Sequence, residues 1–220
     1  MIENMFEAGL HFGYSKSSAH PSVSPFLYGN KDGVSIFDLE KTEHQLAEAK
    51  KFISEATTGG KVIFVGTKNE ARGLIKEAAQ SVGMPHVTTR WIGGTITNFS
   101  EIKKRIGKLE KMLADRERGE FGKFNKKEQL LLDRQIAKLQ KYYEGLMGMT
   151  ELPKAIIVVD SKAEAVAVKE AQDRSIPVIA LSNSDCDISA ISHPIPGNDA
   201  ARASIELVLK ELAGAITKAN

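Results

Sequence analysis

Four short runs of apolar, mostly β-branched residues constrain the fold of this chain more than any other feature. The runs are VSIF at 34–37, KVIFV at 61–65, AIIVV at 155–159 and PVIAL at 177–181. Runs without polar alternation are typical of strands that are buried on both faces of a parallel sheet. Residues 86–91 are a candidate for one further strand.

Amphipathic stretches separate these runs, at about 41–57, 68–82, 163–174 and 199–217. This alternation predicts right-handed crossover units, and therefore a three-layer α/β fold of Rossmann-like or flavodoxin-like type, with a parallel sheet between helices. A chain of 220 residues is long enough to bury such a core without disulfides or a structural metal.

Two strand-to-helix units resemble each other. VIFVGTKNEA at 62–71 and IIVVDSKAEA at 156–165 share four apolar residues, then a hydroxyl residue, a lysine, a glutamate and an alanine. The shared spacing predicts capping boxes, in which Thr67 pairs with Glu70 and Ser161 with Glu164. Convergence on good helix starts explains most of the likeness, and an old duplication is the alternative.

The lysines of the two units, Lys68 and Lys162, fall in the first helical turn, where the helix dipole disfavours a cation. An anion docked at the helix start would favour a lysine there, so both are candidates for a phosphate contact. The competing interpretation is an exposed lysine with a small energetic cost.

The middle of the chain breaks the α/β alternation. Its apolar positions recur with steps of four and three residues, at Ile102, Ile106, Leu109 and Leu113 and again at Leu132, Ile136, Leu139, Tyr143 and Leu146. Two such heptad seams joined by a glycine-containing link predict an antiparallel coiled-coil hairpin. We therefore divide the chain into an α/β domain of residues 1–97 and 151–220 and an inserted hairpin of residues 98–150.

The stretch TTRWIGGTITNFSEIKKR at 88–105 joins the two parts. Trp91 is interpreted as a packed residue at the end of a strand, with stacking on a base as the alternative. Gly93 and Gly94 permit a sharp corner, and Asn98 is suited to cap the first hairpin helix, with Glu101 three residues later.

Positive charge is concentrated in the hairpin. Residues 101–150 carry 13 Lys or Arg against 8 Asp or Glu, whereas the remainder carries 17 against 20. A basic segment in a mildly acidic body favours a polyanionic partner, with a solvated helix surface as the alternative. The candidate RNA-binding residues are Lys16, Lys68, Arg90, Lys103, Lys104, Arg105, Lys108 and Lys111.

The chain shows little sign of catalytic chemistry. VGTK at 65–68 lacks the second glycine and the Lys-Ser/Thr ending of a phosphate-binding loop. The five histidines share no metal-ligand spacing, and Cys186 lies between two aspartates that would disfavour a thiolate. Asp185 and Asp187 are weak candidates for a cation site, whereas Asn198 or Asp199 reads as a helix cap. We expect no cofactor, and no membrane span or signal peptide is predicted.

Seven segments then occur in an order that identifies a family. They are AGLHFGY at 8–14, SPFLYGNKDGVSIFDLEKT at 24–42, VIFVGTKNEA at 62–71, RWIGGTITNF at 90–99, LPKAIIVVD at 152–160, IPVIALSNSDCD at 176–187 and PIPGNDAARA at 194–203. Together they resemble the bacterial form of the small-subunit ribosomal protein two family, nearly from end to end. RWIGGTITNF and IPGNDAARA are the most specific of these segments.

The resemblance implies a parallel α/β body with a coiled-coil hairpin after the RWIGG segment, and a structural role without catalysis. It further implies binding of small-subunit ribosomal RNA between the head and body of the subunit, and recruitment of the mRNA-binding ribosomal protein one. Neighbouring small-subunit proteins are then the other partners, and the expected location is the ribosome of a bacterial cytoplasm or an organelle. The alternative, drawn from Lys68 and Lys162, is a small α/β enzyme acting on a phosphorylated metabolite.

Two positions depart from the family pattern. Many members carry a histidine where this chain has Tyr14, and the family's Asp-Thr-Asn stretch reads Asn183-Ser184-Asp185 here. Both changes touch residues that could bind a metal in relatives, so the sequence does not support a zinc or magnesium site.

Overall fold

Strands and helices alternate through most of the chain, and the computed structural model describes them for residues 1–217. The strands are β1 (Phe12–Ser15), β2 (Leu27–Lys31), β3 (Val34–Phe37), β4 (Val62–Val65), β5 (His86–Val87), β6 (Ala155–Val159), β7 (Val178–Ser182) and β8 (His193–Pro196). The α-helices are α1 (Ile2–Glu7), α2 (Leu39–Thr57), α3 (Asn69–Ser81), α4 (Phe99–Glu117), α5 (Lys126–Tyr143), α6 (Ala165–Asp173) and α7 (Arg202–Thr217).

A five-stranded parallel sheet lies at the centre, in the order β5-β4-β6-β7-β8. This order is that of flavodoxin-like folds, so the predicted three-layer α/β class is confirmed. Every residue of β4, β6 and β7 is buried, as expected for strands covered on both faces. Helices α2, α3 and α7 share one hydrophobic cluster with the sheet, and α6 shares the other cluster with α4 and α5.

The prediction for residues 34–37 was wrong in one respect. Strand β3 does not join the parallel sheet but pairs antiparallel with β1 and β2 in a separate three-stranded sheet. Its burial alternates, since Ser35 and Phe37 are buried while Val34 and Ile36 are half-exposed. The sequence carries no period-two signal for this, because the polar Ser35 lies on the covered face and the apolar Val34 and Ile36 lie on the half-exposed face.

The fifth strand is shorter than predicted, and three strands were missed, namely β1, β2 and β8. Strand β5 ends at Val87, so Trp91 lies outside it, and the indole N–H of Trp91 donates to Glu170 of α6. Strand β8 contains Pro194 and Pro196 at the sheet edge, where a missing N–H is tolerated.

Helices α4 and α5 pack against each other, as the two seams predicted. The buried positions of α4 are Ile102, Ile106, Leu109 and Met112, so Met112 takes the inward position that we predicted for Leu113. The second seam is buried at Ile136, Leu139, Tyr143 and Leu146. The coiled-coil geometry and the boundaries 98–150 stay predictions.

Local signals define the turn between the two helices. Gly119 has a φ of 75°, which glycine adopts without strain. Asn125 then forms a complete capping box with Glu128 at the start of α5. Across the described residues 1–217, every helix is too short or too polar to cross a membrane.

Candidate functional sites at the sheet edge, the hairpin junction and the hairpin surface

A charged cluster lies at the carboxyl ends of β4 and β6, where the strand order reverses. Lys68 follows β4, and its Nζ lies 2.5 Å from Asp160 Oδ2, directly after β6, and 3.2 Å from Asp199 Oδ2. Asp199 is fully buried and Asp160 nearly so. In open α/β sheets this reversal point is the usual place for ligands, and here it holds an ion-pair cluster whose lysine is partly exposed.

Backbone geometry holds the two carboxylates in place. Asp160 has a φ of 69°, in the left-handed region that Asp tolerates better than most residues. Its Oδ1 accepts hydrogen bonds from the N–H groups of Lys162 and Ala163. Asp199 accepts a bond of 3.0 Å from Asn183 Nδ2 inside the protein. Of the two predicted caps, Asp199 therefore lies inside the protein, and Asn198 Oδ1 accepts from the N–H groups of Ala200 and Ala201, just before α7 begins.

The capping boxes predicted within each unit were wrong. Thr67 donates from its N–H and its Oγ1 to Glu164 Oε1 of the other unit, over 2.8 and 2.6 Å. Ser161 Oγ instead bonds Ser182 Oγ on the neighbouring strand. The bonds between Thr67 and Glu164 therefore join the two units to each other, because parallel β4 and β6 bring both helix starts to one edge.

Burial and charge together set the protonation of the cluster. Burial lowers the pKa of Lys68, but the hydrogen bond to Asp160 and the charge of Asp199 outweigh burial, so the pKa is raised overall. Burial raises the pKa of Asp199 and, independently, that of Glu164. Lys68 thus remains an ammonium ion whose charge is matched by its own carboxylates.

The donor set of the cluster does not suit a metal ion. Ligand atoms of Asp160, Cys186 and Asp199 lie within 4.8 Å of one another. Lys68 already supplies the positive charge to both carboxylates, and burial raises the pKa of the Cys186 thiol to about 11. Metal binding requires the thiolate, which this environment disfavours.

The weak metal candidates of the sequence lie elsewhere. Asp185 is paired with the exposed Lys162 over 2.7 Å. Asp187 is exposed and accepts from Ser189 Oγ and N–H, which together lower the pKa of Asp187. These two carboxylates do not belong to the three-residue group of possible ligands.

A second buried carboxylate organises the junction between sheet and hairpin. Glu170 of α6 is 7% exposed. It accepts bonds from Trp91 Nε1 (3.1 Å), Gly94 N (2.7 Å), Ile96 N (3.0 Å), Thr97 N (3.1 Å) and Thr97 Oγ1 (3.1 Å). Burial raises the pKa of Glu170, but these donors outweigh it and the pKa is lowered overall. Glu170 therefore sets the path by which the chain leaves the sheet.

The predicted junction residues surround this carboxylate. Trp91 is buried at 6% exposure, so it packs in the core and does not present a stacking face. Gly94 has a φ of 90°, which makes the corner, and Gly93 lies beside it at the surface. Asn98 stands at the N-cap of α4, but its side chain makes no capping bond and Glu101 binds Lys104 instead.

Glu170 was missed by sequence reasoning. It lies in the sequence as one charged residue on an amphipathic helix, far from the glycine corner that it holds. One signal in the sequence indicated a buried Glu170. The glutamate lies on the same part of α6 as Ala167, Val168 and Ala171, which pack inward.

The basic candidates of the hairpin lie at the surface. Arg105, Lys108 and Lys111 of α4 are exposed, and within residues 1–217 none of them lies within 4.0 Å of a carboxylate. Lys103 donates to the carbonyl oxygen of Thr150 over 3.3 Å, and Lys104 pairs with Glu101.

Two further candidates, Lys16 and Arg90, are exposed outside the hairpin. Lys16 begins a short 3-10 helix after β1, and Arg90 lies between β5 and the glycine corner. Lys68 differs from all the others because both of its neighbours are internal carboxylates.

Comparisons with known proteins agree with one another. The family model described as ribosomal protein S2 matches residues 5–219. The small ribosomal subunit protein uS2 of Coprothermobacter proteolyticus is 43% identical over 98% of this chain and 81% of its own length. The protein of the same name from Thermus thermophilus is 40% identical over the whole chain and 86% of its own length. A third, from Roseiflexus, is 43% identical over 96% of the chain and 81% of its own length.

Proposed function

Because the chain belongs to the ribosomal protein S2 family, we propose that it is a structural component of the small ribosomal subunit that binds small-subunit ribosomal RNA. The resemblance inferred from the sequence is thereby confirmed, and the family consists of structural ribosomal proteins rather than enzymes. We assign the RNA-binding role mainly to the exposed face of the hairpin.

One observation supports this assignment above the others: within residues 1–217, Arg105, Lys108 and Lys111 of α4 have no carboxylate oxygen within 4.0 Å. Lys108 and Lys111 lie away from the buried seam of Ile102, Ile106 and Leu109, and Arg105 lies at its edge. Unpaired surface cations retain their full attraction for phosphate, which supplies most of the affinity in protein–nucleic acid complexes. A helix that is fixed by its apolar side can present these cations without rearrangement.

The wider role follows from the family. We propose that the protein lies between the head and body of the subunit, contacts neighbouring ribosomal proteins and helps to recruit the mRNA-binding ribosomal protein one. Its expected location is therefore a bacterial or organellar ribosome.

The alternative of an enzyme for a phosphorylated metabolite required Lys68 and Lys162 to be available for phosphate. Lys68 is held by Asp160 and Asp199, and Lys162 by Asp185. Neither helix start therefore offers an uncompensated cation.

Changing Lys103, Lys104, Arg105 and Lys108 together to alanine tests the hairpin assignment. We expect incorporation into reconstituted small subunits to fall by about ten-fold at moderate salt, because phosphate contacts are lost. Alanine is a strong helix former and the four residues are exposed, so the thermal midpoint should move by less than about 2 °C.

The matched control removes the same charge from the body, with Lys31, Lys51, Lys169 and Lys210, all exposed, changed to alanine. Competition between each variant and the wild-type protein during subunit assembly is measured by mass spectrometry. Equal incorporation of the hairpin and control variants would contradict the assignment.

A further inference from the structure

A small polar pocket lies where the hairpin returns to the body. Its volume is about 220 Å³, and its walls come from α3, from the segment after β5 and from the end of α5. The side chains that matter for its chemistry are Lys76, His86, Thr88, Thr89, Arg90 and Lys141. The pocket is distinct from the exposed face of α4.

Positive charge in this pocket is not balanced. Lys76, Arg90 and Lys141 come from three separate segments, and within residues 1–217 none of them has a carboxylate oxygen within 4.0 Å. Glu144 is the single acidic residue among those that line the pocket. Burial first, and then the charge of Lys76, lower the pKa of His86, and together they outweigh the charge of Glu144, which raises it.

The walls of the pocket are fixed by close backbone packing. A Cβ at Gly145 would lie 2.2 Å from the carbonyl oxygen of His86, so the end of the hairpin touches β5 directly. His86 is in turn held in the sheet, where β5 pairs with β4. The three cations are therefore brought together by rigid elements and not by flexible loops alone.

We propose that this pocket binds one phosphate group of the RNA backbone, with Lys76, Arg90 and Lys141 as the cationic ligands. The hydroxyl groups of Thr88 and Thr89 are further donors at the same wall. A phosphodiester offers acceptor oxygens and a negative charge, which matches a pocket lined by donors and cations. The proposal rests on the proposed function for its RNA partner and adds a contact at the base of the hairpin.

The double variant Lys76→Gln with Lys141→Gln tests this contact in the full-length protein. Binding to naked small-subunit ribosomal RNA is measured across a series of KCl concentrations. Loss of two phosphate contacts should reduce the slope of log affinity against log salt by about 1 to 2. Circular dichroism melting checks that both proteins are folded.

A second pocket supplies the matched control. Lys51 and Lys210 line a larger pocket of about 710 Å³ in which Glu55 and Glu211 are interspersed and Lys50 pairs with Glu211. Changing Lys51 and Lys210 to glutamine removes the same charge, and we expect the salt slope to stay unchanged. An equal decrease in both variants would overturn the proposal, because it would reflect net charge alone.

A titration with inorganic phosphate separates this proposal from the proposed function. The ring signals of His86, assigned with a His86→Gln variant, are followed by NMR in the wild-type protein and in the pocket variant. Saturable shifts that disappear in the pocket variant support an anion site, and their absence in the wild type overturns it.

The two experiments together distinguish the possible failures. Wild-type RNA binding with an unchanged slope in the pocket variant overturns the pocket and leaves the proposed function intact. Failure of the wild type to bind the RNA contradicts the proposed function. Phosphate-induced shifts in that case would assign the pocket to free phosphate, which overturns the RNA part of the proposal.

Discussion

Replacing Lys68 with methionine is expected to lower the free energy of unfolding by about 3–5 kcal/mol, the usual cost of removing one partner from a buried ion pair. The ammonium lies between Asp160 and Asp199, and the latter is fully buried. Methionine fills a similar volume, so the loss arises from carboxylates left without a counter-charge. For a chain of this size the thermal midpoint should fall by about 10 °C.

Lys162→Met is the matched control, since Lys162 holds the corresponding place in the similar unit. Its partner is Asp185 and its side chain is 63% exposed, so we expect the stability of this variant to stay close to that of the wild type. Chemical denaturation of both variants measures the difference. Equal destabilisation of the two would show that the Lys68 cluster adds no more than a surface pair.

The Lys68 variant should also respond to pH in a definite direction. Burial already raises the pKa of Asp199, and loss of Lys68 removes a charge that lowers it. An acid whose folded pKa is raised binds its proton more tightly in the folded state, so its contribution to stability is lost as pH rises. The difference in free energy of unfolding between the wild type and the Lys68 variant should therefore be smaller at mildly acidic pH than at neutral pH.

Replacing Glu170 with glutamine should destabilise the protein nearly as much as Lys68→Met does. The free energy of unfolding is expected to fall by about 2–4 kcal/mol. Both carboxylate oxygens of Glu170 accept bonds from N–H groups of the junction. A glutamine amide would turn its NH₂ group toward some of those donors, which would leave them unpaired and buried. The expected result is a destabilised junction with greater exposure of Trp91, seen as a red-shifted emission and faster proteolysis near 92–98.

Glu206→Gln is the control, because Glu206 pairs on the surface with Lys210 and its loss should leave the stability nearly unchanged. The pKa of Glu170 is lowered in the fold, so its stabilisation is present above the usual glutamate pKa and disappears as pH falls through the folded value. Wild-type protein should thus lose more stability in acid than the Glu170 variant. Unchanged emission and equal acid sensitivity would contradict the role of Glu170.

Periodicity predicted the central sheet because β4, β6 and β7 are continuous apolar runs, each covered by helices on both faces. It predicted the two helices of the hairpin for a similar reason, since their buried positions recur every three or four residues. Periodicity misplaced β3. Its run has only four residues, one of them a serine, and is too short to show whether one face of the strand or both faces are buried.

The sites were less predictable than the fold because their partners are distant in sequence. The unusual position of Lys68 was visible, but Asp160 and Asp199 become its neighbours only through the strand order β4-β6-β7-β8. The same applies to Glu170 and the glycine corner, which no local pattern connects. The exposed cations of α4 were predictable, since the spacing of the apolar seam determines which side chains face solvent.

The bond network between the two similar units has a consequence for synthesis of the chain. The hydrogen-bond partner of Thr67 is Glu164, and one counter-charge of Lys68 is Asp199, just before the carboxyl-terminal helix. Both partners are synthesised long after the residues that they bind. While the nascent polypeptide is shorter than this, Lys68 has an incomplete set of counter-charges and β4 lacks its central neighbour β6. The body can therefore reach its final form only late in translation, after the whole hairpin has left the exit tunnel, and the hairpin helices are free to form before the sheet that carries them.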